Sequence, residues 1–122
     1  MSHSYVTSSK IPSQRQLRVA EAVRGILSQL LLQTDFYDSP LAGLSITVSE
    51  VRISPDLKNA SVFVLPLGGE VPEGFVDALA QIAPSLRHEV GIRAKLRYTP
   101  MLTFKLDESF ANAARVESLL NS

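Results

Sequence analysis

Two histidines, His3 and His88, and no cysteine are what this chain offers for nucleophile activation and metal ligation. Without cysteine there is no thiolate nucleophile, no disulfide and no Cys-based zinc site. With only two histidines a multi-histidine metal centre is hard to assemble. A Ser/His/acid set would have to use His88, which stands in Arg87-His88-Glu89 on a basic stretch with helical periodicity. Nothing there marks burial or pairing, so it reads as a solvated surface histidine rather than a general base. Gly68-Gly69 precedes a helical pattern, as a phosphate cradle would, but the Walker and dinucleotide spacings are absent. A simple strand terminator accounts for the pair. Asp35, Asp38 and Asp56 lack the spacing of a calcium loop. Glu70, Glu73 and Asp77 precede or open a helix, where negative charge suits the helix dipole. These residues point away from an enzyme and call for no metal or cofactor.

The basic residues carry a sharper signal. Overall charge is balanced, with 12 basic and 12 acidic residues, which taken alone speaks against a nucleic-acid binder. The distribution is uneven. Residues 1–24 carry Lys10, Arg15, Arg18 and Arg24 against Glu21, a net +3. Residues 82–105 carry Arg87, Arg93, Lys95, Arg97 and Lys105 against Glu89, a net +4. The stretch between them, 25–81, is net −5 and the end, 106–122, net −2. A fold that brings the two basic blocks together gives a neutral chain one strongly positive face. Arg15, Arg18, Arg87, Arg93, Lys95 and Arg97 are the candidate phosphate contacts. Aromatics are sparse, with Tyr98 alone beside the Lys95–Arg97 cluster, so the pattern favours recognition of structured RNA by backbone and shape over stacking of single strands.

The elements that must position these residues follow from periodicity. A chain of 122 residues, 45% apolar and 20% charged, fits one packed domain and rules out wholesale disorder. Residues 1–12 are rich in Ser and Thr and read as a flexible arm. They hold no apolar stretch of the kind a secretory signal needs, and no run is long enough to span a bilayer; a cytoplasmic protein is expected. Ser13 and Gln16 form a capping box that opens a helix ending near Gln33. Val19, Val23, Ile26, Leu27, Leu30 and Leu31 have helical spacing within it. Asp35 to Gly43 is a loop. A strand is expected over Leu44–Ile53, where the alternation slips by one residue near Ser49–Glu50, the mark of a bulge. Ser54-Pro55-Asp56 is turn chemistry, and Ala60–Leu67 is a second, antiparallel strand, centrally placed or covered on both sides. A second helix is expected from about Pro72 to Ile82. Pro84 breaks or sharply kinks the pattern, and a third helix then runs to about Ala94. Met101–Leu106 is a third strand, and Asp107 caps a short final helix. The expected fold class is α+β, with three strands and the helices on one sheet face.

In this order the chain resembles the ribosome-binding factor A family, bacterial small-subunit assembly factors with a KH-like domain. The likeness covers about residues 14–120 and rests on an ordered set of stretches. They are Arg18-Val19-Ala20, Leu44, Ile46, Val48 and Val51, Ser54 with Asp56-Leu57, and Ala60 with Val62 and Val64. The set continues with Leu96-Arg97, Pro100, Leu102, Phe104, Asp107 to Ser109, and Leu119-Leu120. The resemblance implies a type II KH-like domain over 13–107, of order α-β-β-α-kink-α-β, followed by a short C-terminal helix and end over 108–122. In that family the Gly-x-x-Gly loop of KH domains is missing and an Ala-x-Gly kink commonly replaces it. Ile82-Ala83-Pro84 occupies that place here. The resemblance further implies binding to 16S ribosomal RNA in the immature free 30S subunit, promotion of late maturation and 5′-end processing, and no catalysis. The implied partners include an assembly GTPase as release trigger and no membrane, and the protein is expected to be a monomer. Two other readings stay open on the residues alone: a stand-alone KH-like protein acting on other RNAs, and a non-RNA α+β adaptor domain.

Overall fold

In a computed structural model, residues 11–34, 36, 39–68 and 70–109 are described. The expected flexible arm over 1–12 and the expected C-terminal helix and end over 108–122 lie mostly outside them. Helix α1 spans Gln14–Gln33, β1 Ile46–Ile53, β2 Asn59–Pro66, α2 Phe75–Ala94 and β3 Met101–Leu106.

Helix α1 starts where local chemistry requires. The Ser13 Oγ accepts from the Gln16 amide at 3.1 Å, and the Gln16 side-chain oxygen accepts from the Ser13 amide at 2.8 Å. Two otherwise orphan donors are thereby satisfied. The same Gln16 donates from Nε2 to the Ile53 carbonyl at 2.8 Å, tying the helix start to the end of β1. The apolar stripe buries Val23, Leu27, Leu30 and Leu31.

The sheet has the order β1-β2-β3, with β1 antiparallel and β3 parallel to the central β2. The expected bulge is present: register shifts between Val48 and Glu50. This is why Ile46 and Val48 and then Val51 and Ile53 all bury on the same side. Ser49, the extra residue, turns its hydroxyl to the Asp107 carboxylate beyond β3. Asp107 also accepts from the Ser109 amide at 3.2 Å, the N-cap geometry expected of it. The β1–β2 turn is closed by the Asp56 carboxylate, which accepts from the Ser54 hydroxyl at 2.6 Å and the Lys58 amide at 3.0 Å. These two bonds, the hydroxyl's first, hold the Asp56 carboxyl below its ordinary pKa.

Both helices cover one sheet face. Helix α1 packs on β1, α2 on β3, and the helices touch each other. Ala60, Val62 and Val64 of β2 and Leu102 and Phe104 of β3 lie beneath them. The opposite face carries Arg52, Thr103 and Lys105, all exposed. β2 is central, as expected, but its outward residues Ser61, Phe63 and Leu65 are half-buried rather than covered by a second layer.

Three expectations need correction. The first strand begins at Ile46, leaving Leu44 in the preceding turn. Helix α2 begins at Phe75, not Pro72, because Gly74 at φ 79° closes the entry. The helix is also continuous through Pro84, where two helices were expected. Pro84 lies on the exposed side of α2, and so does Ala80, whose carbonyl loses its i→i+4 partner. That carbonyl faces water, where its loss costs least. The buried stripe of Phe75, Ala78, Leu79, Leu86 and Val90 runs uninterrupted past the proline.

Candidate nucleic-acid interface

One member of each basic block, Arg15 and Arg97, lines a common groove. The first turns of α1 supply Arg15 and Val19, the hairpin turn supplies Asp56 and Leu57, and the loop from α2 to β3 supplies Arg97 and Tyr98. Together these line a groove of about 310 Å³. A second, shallower groove of about 580 Å³ lies on the other side of that loop, between Arg97 and Tyr98 and the α2 residues Pro84, Arg87, His88 and Ile92. Arg97 and Tyr98 form the wall shared by the two.

The candidate phosphate contacts divide by how free their charge is. Arg15, Arg18, Lys95 and Arg97 are exposed and without an ion-pair partner among the described residues. Arg93 is exposed but lies 3.6 Å from Glu89 one helical turn back. Such a surface pair is weak and competes poorly with phosphate. Arg24, in the first basic block, is held by Glu21, and its hydrogen bond to that carboxylate lowers the Glu21 pKa.

Arg87 differs from the other candidates in that its guanidinium is already engaged by the protein. It is half-buried, and its guanidinium donates from Nε to the Pro100 carbonyl at 3.1 Å and from Nη2 to the Thr99 carbonyl at 2.7 Å. Those two carbonyls end the α2–β3 loop. Arg87 therefore anchors the loop that carries Arg97 and Tyr98. Gly91 does the same by its lack of a side chain: a Cβ there would stand 2.6 Å from the Thr99 Oγ1. No feature of the sequence marks either role, since both partners belong to a different element.

Other members of the basic blocks are dispersed. Arg18, Arg93 and Lys95 line neither groove. Lys95 ends α2 in the left-handed region at φ 54°. Lys105 lies on the helix-free sheet face, 6.0 Å from the Phe63 ring, with Arg52 5.1 Å from the same ring. Of the expected kink, only Pro84 lines a groove; Ile82 and Ala83 are half-buried against the core. His88 is exposed, as expected. Among the described residues no group of three or more His, Cys, Asp or Glu could hold a metal ion, and no helix is long and apolar enough to cross a membrane. Among the described residues Asp56 is the one acid lining the Arg15–Arg97 groove, and its carboxylate is engaged by the turn. The arrangement offers fixed positive charge beside an aromatic ring, which suits binding of a polyanion.

The profile of one family, Ribosome-binding factor A, matches residues 15–120. The chain belongs to the ribosome-binding factor A family. The relative named Ribosome-binding factor A from Phenylobacterium zucineum is 50% identical over 110 residues, 90% of this chain and 76% of that protein. The one from Afipia carboxidovorans is 47% identical over 116 residues, 95% of this chain and 82% of that protein. The fold is shared with the crystal structure of ribosome-binding factor A from Thermus thermophilus at a TM-score of 0.57 and 23% identity, covering 75% of this chain and 94% of that one. A second set of Thermus thermophilus ribosome-binding factor A coordinates, fitted into a cryo-EM map of its 30S complex, matches with the same TM-score at 22% identity, over 76% of this chain and 91% of that one. The α-β-β-α-β order and the parallel third strand are thus the ribosome-binding factor A fold. In this member the kink position is a proline inside a continuous helix.

Proposed function

We propose that this protein is a ribosome assembly factor that binds 16S rRNA in the immature 30S subunit and promotes its late maturation, including processing of the 5′ end, without catalysing a step itself. Family membership supports the ribosomal target. The observation that carries the interface is the meeting of Arg15 and Arg97, from basic blocks at opposite ends of the domain, in a single groove. Fixed cations on a rigid domain neutralise backbone phosphates and release counterions. Arg18, Arg93 and Lys95 add positive charge on the flanks, and Arg87 acts from beneath by holding the loop. Binding as a monomer in the cytoplasm, with release by an assembly GTPase, completes the reading.

Gradient sedimentation with purified 30S subunits tests it. Wild-type protein should travel with 30S, and log affinity should fall against log salt with a slope of about −0.7 to −0.9 per phosphate engaged. Arg15→Glu combined with Arg97→Glu should lower affinity at least about tenfold and flatten the slope, with each change costing no more than about 0.5 kcal/mol of stability. Lys58→Glu, in the hairpin turn outside both grooves, should bind as wild type. If the double variant stays folded and sediments as wild type does, this groove is not the interface.

A further inference from the structure

Tyr98 is 71% exposed, unusually bare for an aromatic residue held in an ordered loop between two packed elements. The Arg97 guanidinium lies over its ring, 5.5 Å from the centroid. The ring borders both grooves, with Arg15 in one and His88 and Ile92 in the other. Ile92 is itself 58% exposed. The loop beneath is secured from two directions: Arg87 holds the Thr99 and Pro100 carbonyls, and Gly91 lets the Thr99 side chain close on α2. A large flat side chain is thus presented to solvent from a braced backbone, beside cations. An arrangement of this kind has little ordering entropy left to lose on binding.

We infer that Tyr98, backed by Arg97, is a stacking platform for one unpaired nucleotide of a structured RNA, with a neighbouring phosphate of that strand at Arg15. The inference rests on the rRNA-binding reading and deepens it. A nucleobase is a flat π-face that stacks on tyrosine and on a guanidinium plane. A paired base inside a helix does not offer that face. Charge complementarity favours a nucleotide over an uncharged aromatic ligand, since Arg15 and Arg97 flank the ring and Asp56, the one acid lining the groove among the described residues, is engaged by its own turn. The platform makes the site selective for a bulged or looped-out nucleotide, where cations alone would accept any duplex of the right shape. The low aromatic content of the basic block, which favours shape recognition in the sequence, is therefore offset by the placement of this one ring.

The test uses two RNA hairpins identical except for one bulged adenosine, together with the 30S sedimentation assay. Wild-type protein should prefer the bulged hairpin by about tenfold, in the range of one base stacked on an aromatic side chain. Tyr98→Phe should keep the preference. Tyr98→Ala should bind both hairpins equally, with the salt slope and melting temperature of wild type, because the side chain removed is exposed. Arg15→Glu should weaken both hairpins and flatten the slope. Equal binding of the two hairpins by wild type, or a preference that survives in Tyr98→Ala, overturns the platform while 30S sedimentation still stands for the broader reading. Loss of wild-type 30S binding with the bulge preference intact overturns the ribosomal reading and leaves the platform standing.

Discussion

Replacing Arg87 separates two roles that its sequence position does not distinguish. Its guanidinium makes two charge-assisted bonds, to the carbonyls of Thr99 and Pro100. A hydrogen bond to a charged group contributes about 1.5–3 kcal/mol net. The site is only half-buried, so part of this is recovered when water reaches the freed Thr99 carbonyl. Pro100 is fully buried, and its carbonyl is harder to hydrate. The lower end of the range for each bond, less that recovery, gives a cost of about 2–3 kcal/mol for Arg87→Ala. For a domain of this size that corresponds to a fall in melting temperature of roughly 6–12 °C. Arg87→Lys is the informative partner. It keeps the positive charge, but an ammonium cannot reproduce the two-pronged donation of a guanidinium. An anchoring role is therefore largely lost in Arg87→Lys and a phosphate-contact role largely kept. Thermal melts by circular dichroism and 30S sedimentation should be run on both variants. The expected result is destabilisation by both, with 30S affinity reduced in step with the mobility of the loop. If Arg87→Ala melts within about 1 kcal/mol of wild type, Arg87→Lys binds normally and Arg87→Ala does not bind, Arg87 is a phosphate contact and the anchoring argument fails.

Three further outcomes follow from the packing. Phe104→Ala should cost about 3–5 kcal/mol by chemical denaturation, since the ring is buried under the helices on β3; an unchanged midpoint would place that strand face in solvent. Gly91→Ala, which would gain about 1 kcal/mol in an open helix, should instead lose about 1–2 kcal/mol against Thr99, and Thr99→Ala in the same chain should recover most of it. Simple additivity of the two changes would show that no clash exists. Lys95→Gly should raise stability by about 0.5–1 kcal/mol, the left-handed penalty at φ 54° relieved less the backbone entropy of glycine. The same variant should weaken 30S binding slightly through its lost charge; a drop in melting temperature would show that the Lys95 side chain supports the fold.

Much of this architecture was legible because its causes are local. The Ser13–Gln16 capping box needs only residues three apart, and it forms as the pattern requires. The parity slip at Ser49–Glu50 is visible in the alternation of β1 itself, and so is the bulge that results. The same holds for the Ser54-Pro55-Asp56 turn. The charge segregation that points to RNA is likewise a property of the linear chain. The effect of Pro84 is not local in the same way. Its missing donor is a local fact, but whether it ends a helix depends on which side of that helix faces water, and Pro84 faces outward while the buried stripe passes beneath it.

What tertiary structure alone decided is which charges meet and which are already engaged. Arg15 and Arg97 share a groove because α1 and the α2–β3 loop converge at one end of the sheet, a consequence of the parallel crossover from β2 to β3. Arg87 and Arg93 stand on one helix and look equivalent in sequence. One reaches back to backbone carbonyls of a neighbouring element, and the other lies in solvent beside Glu89. Lys105 counts with the basic block in the chain but points to the helix-free sheet face, because strand side chains alternate. Tyr98 and Gly91 acquire their meaning only from the approach of the loop to α2. Periodicity and capping are encoded within a few residues and survive reading along the chain. The partners of a guanidinium or of a missing Cβ lie across the fold, where only the packing of α2 against the loop selects them.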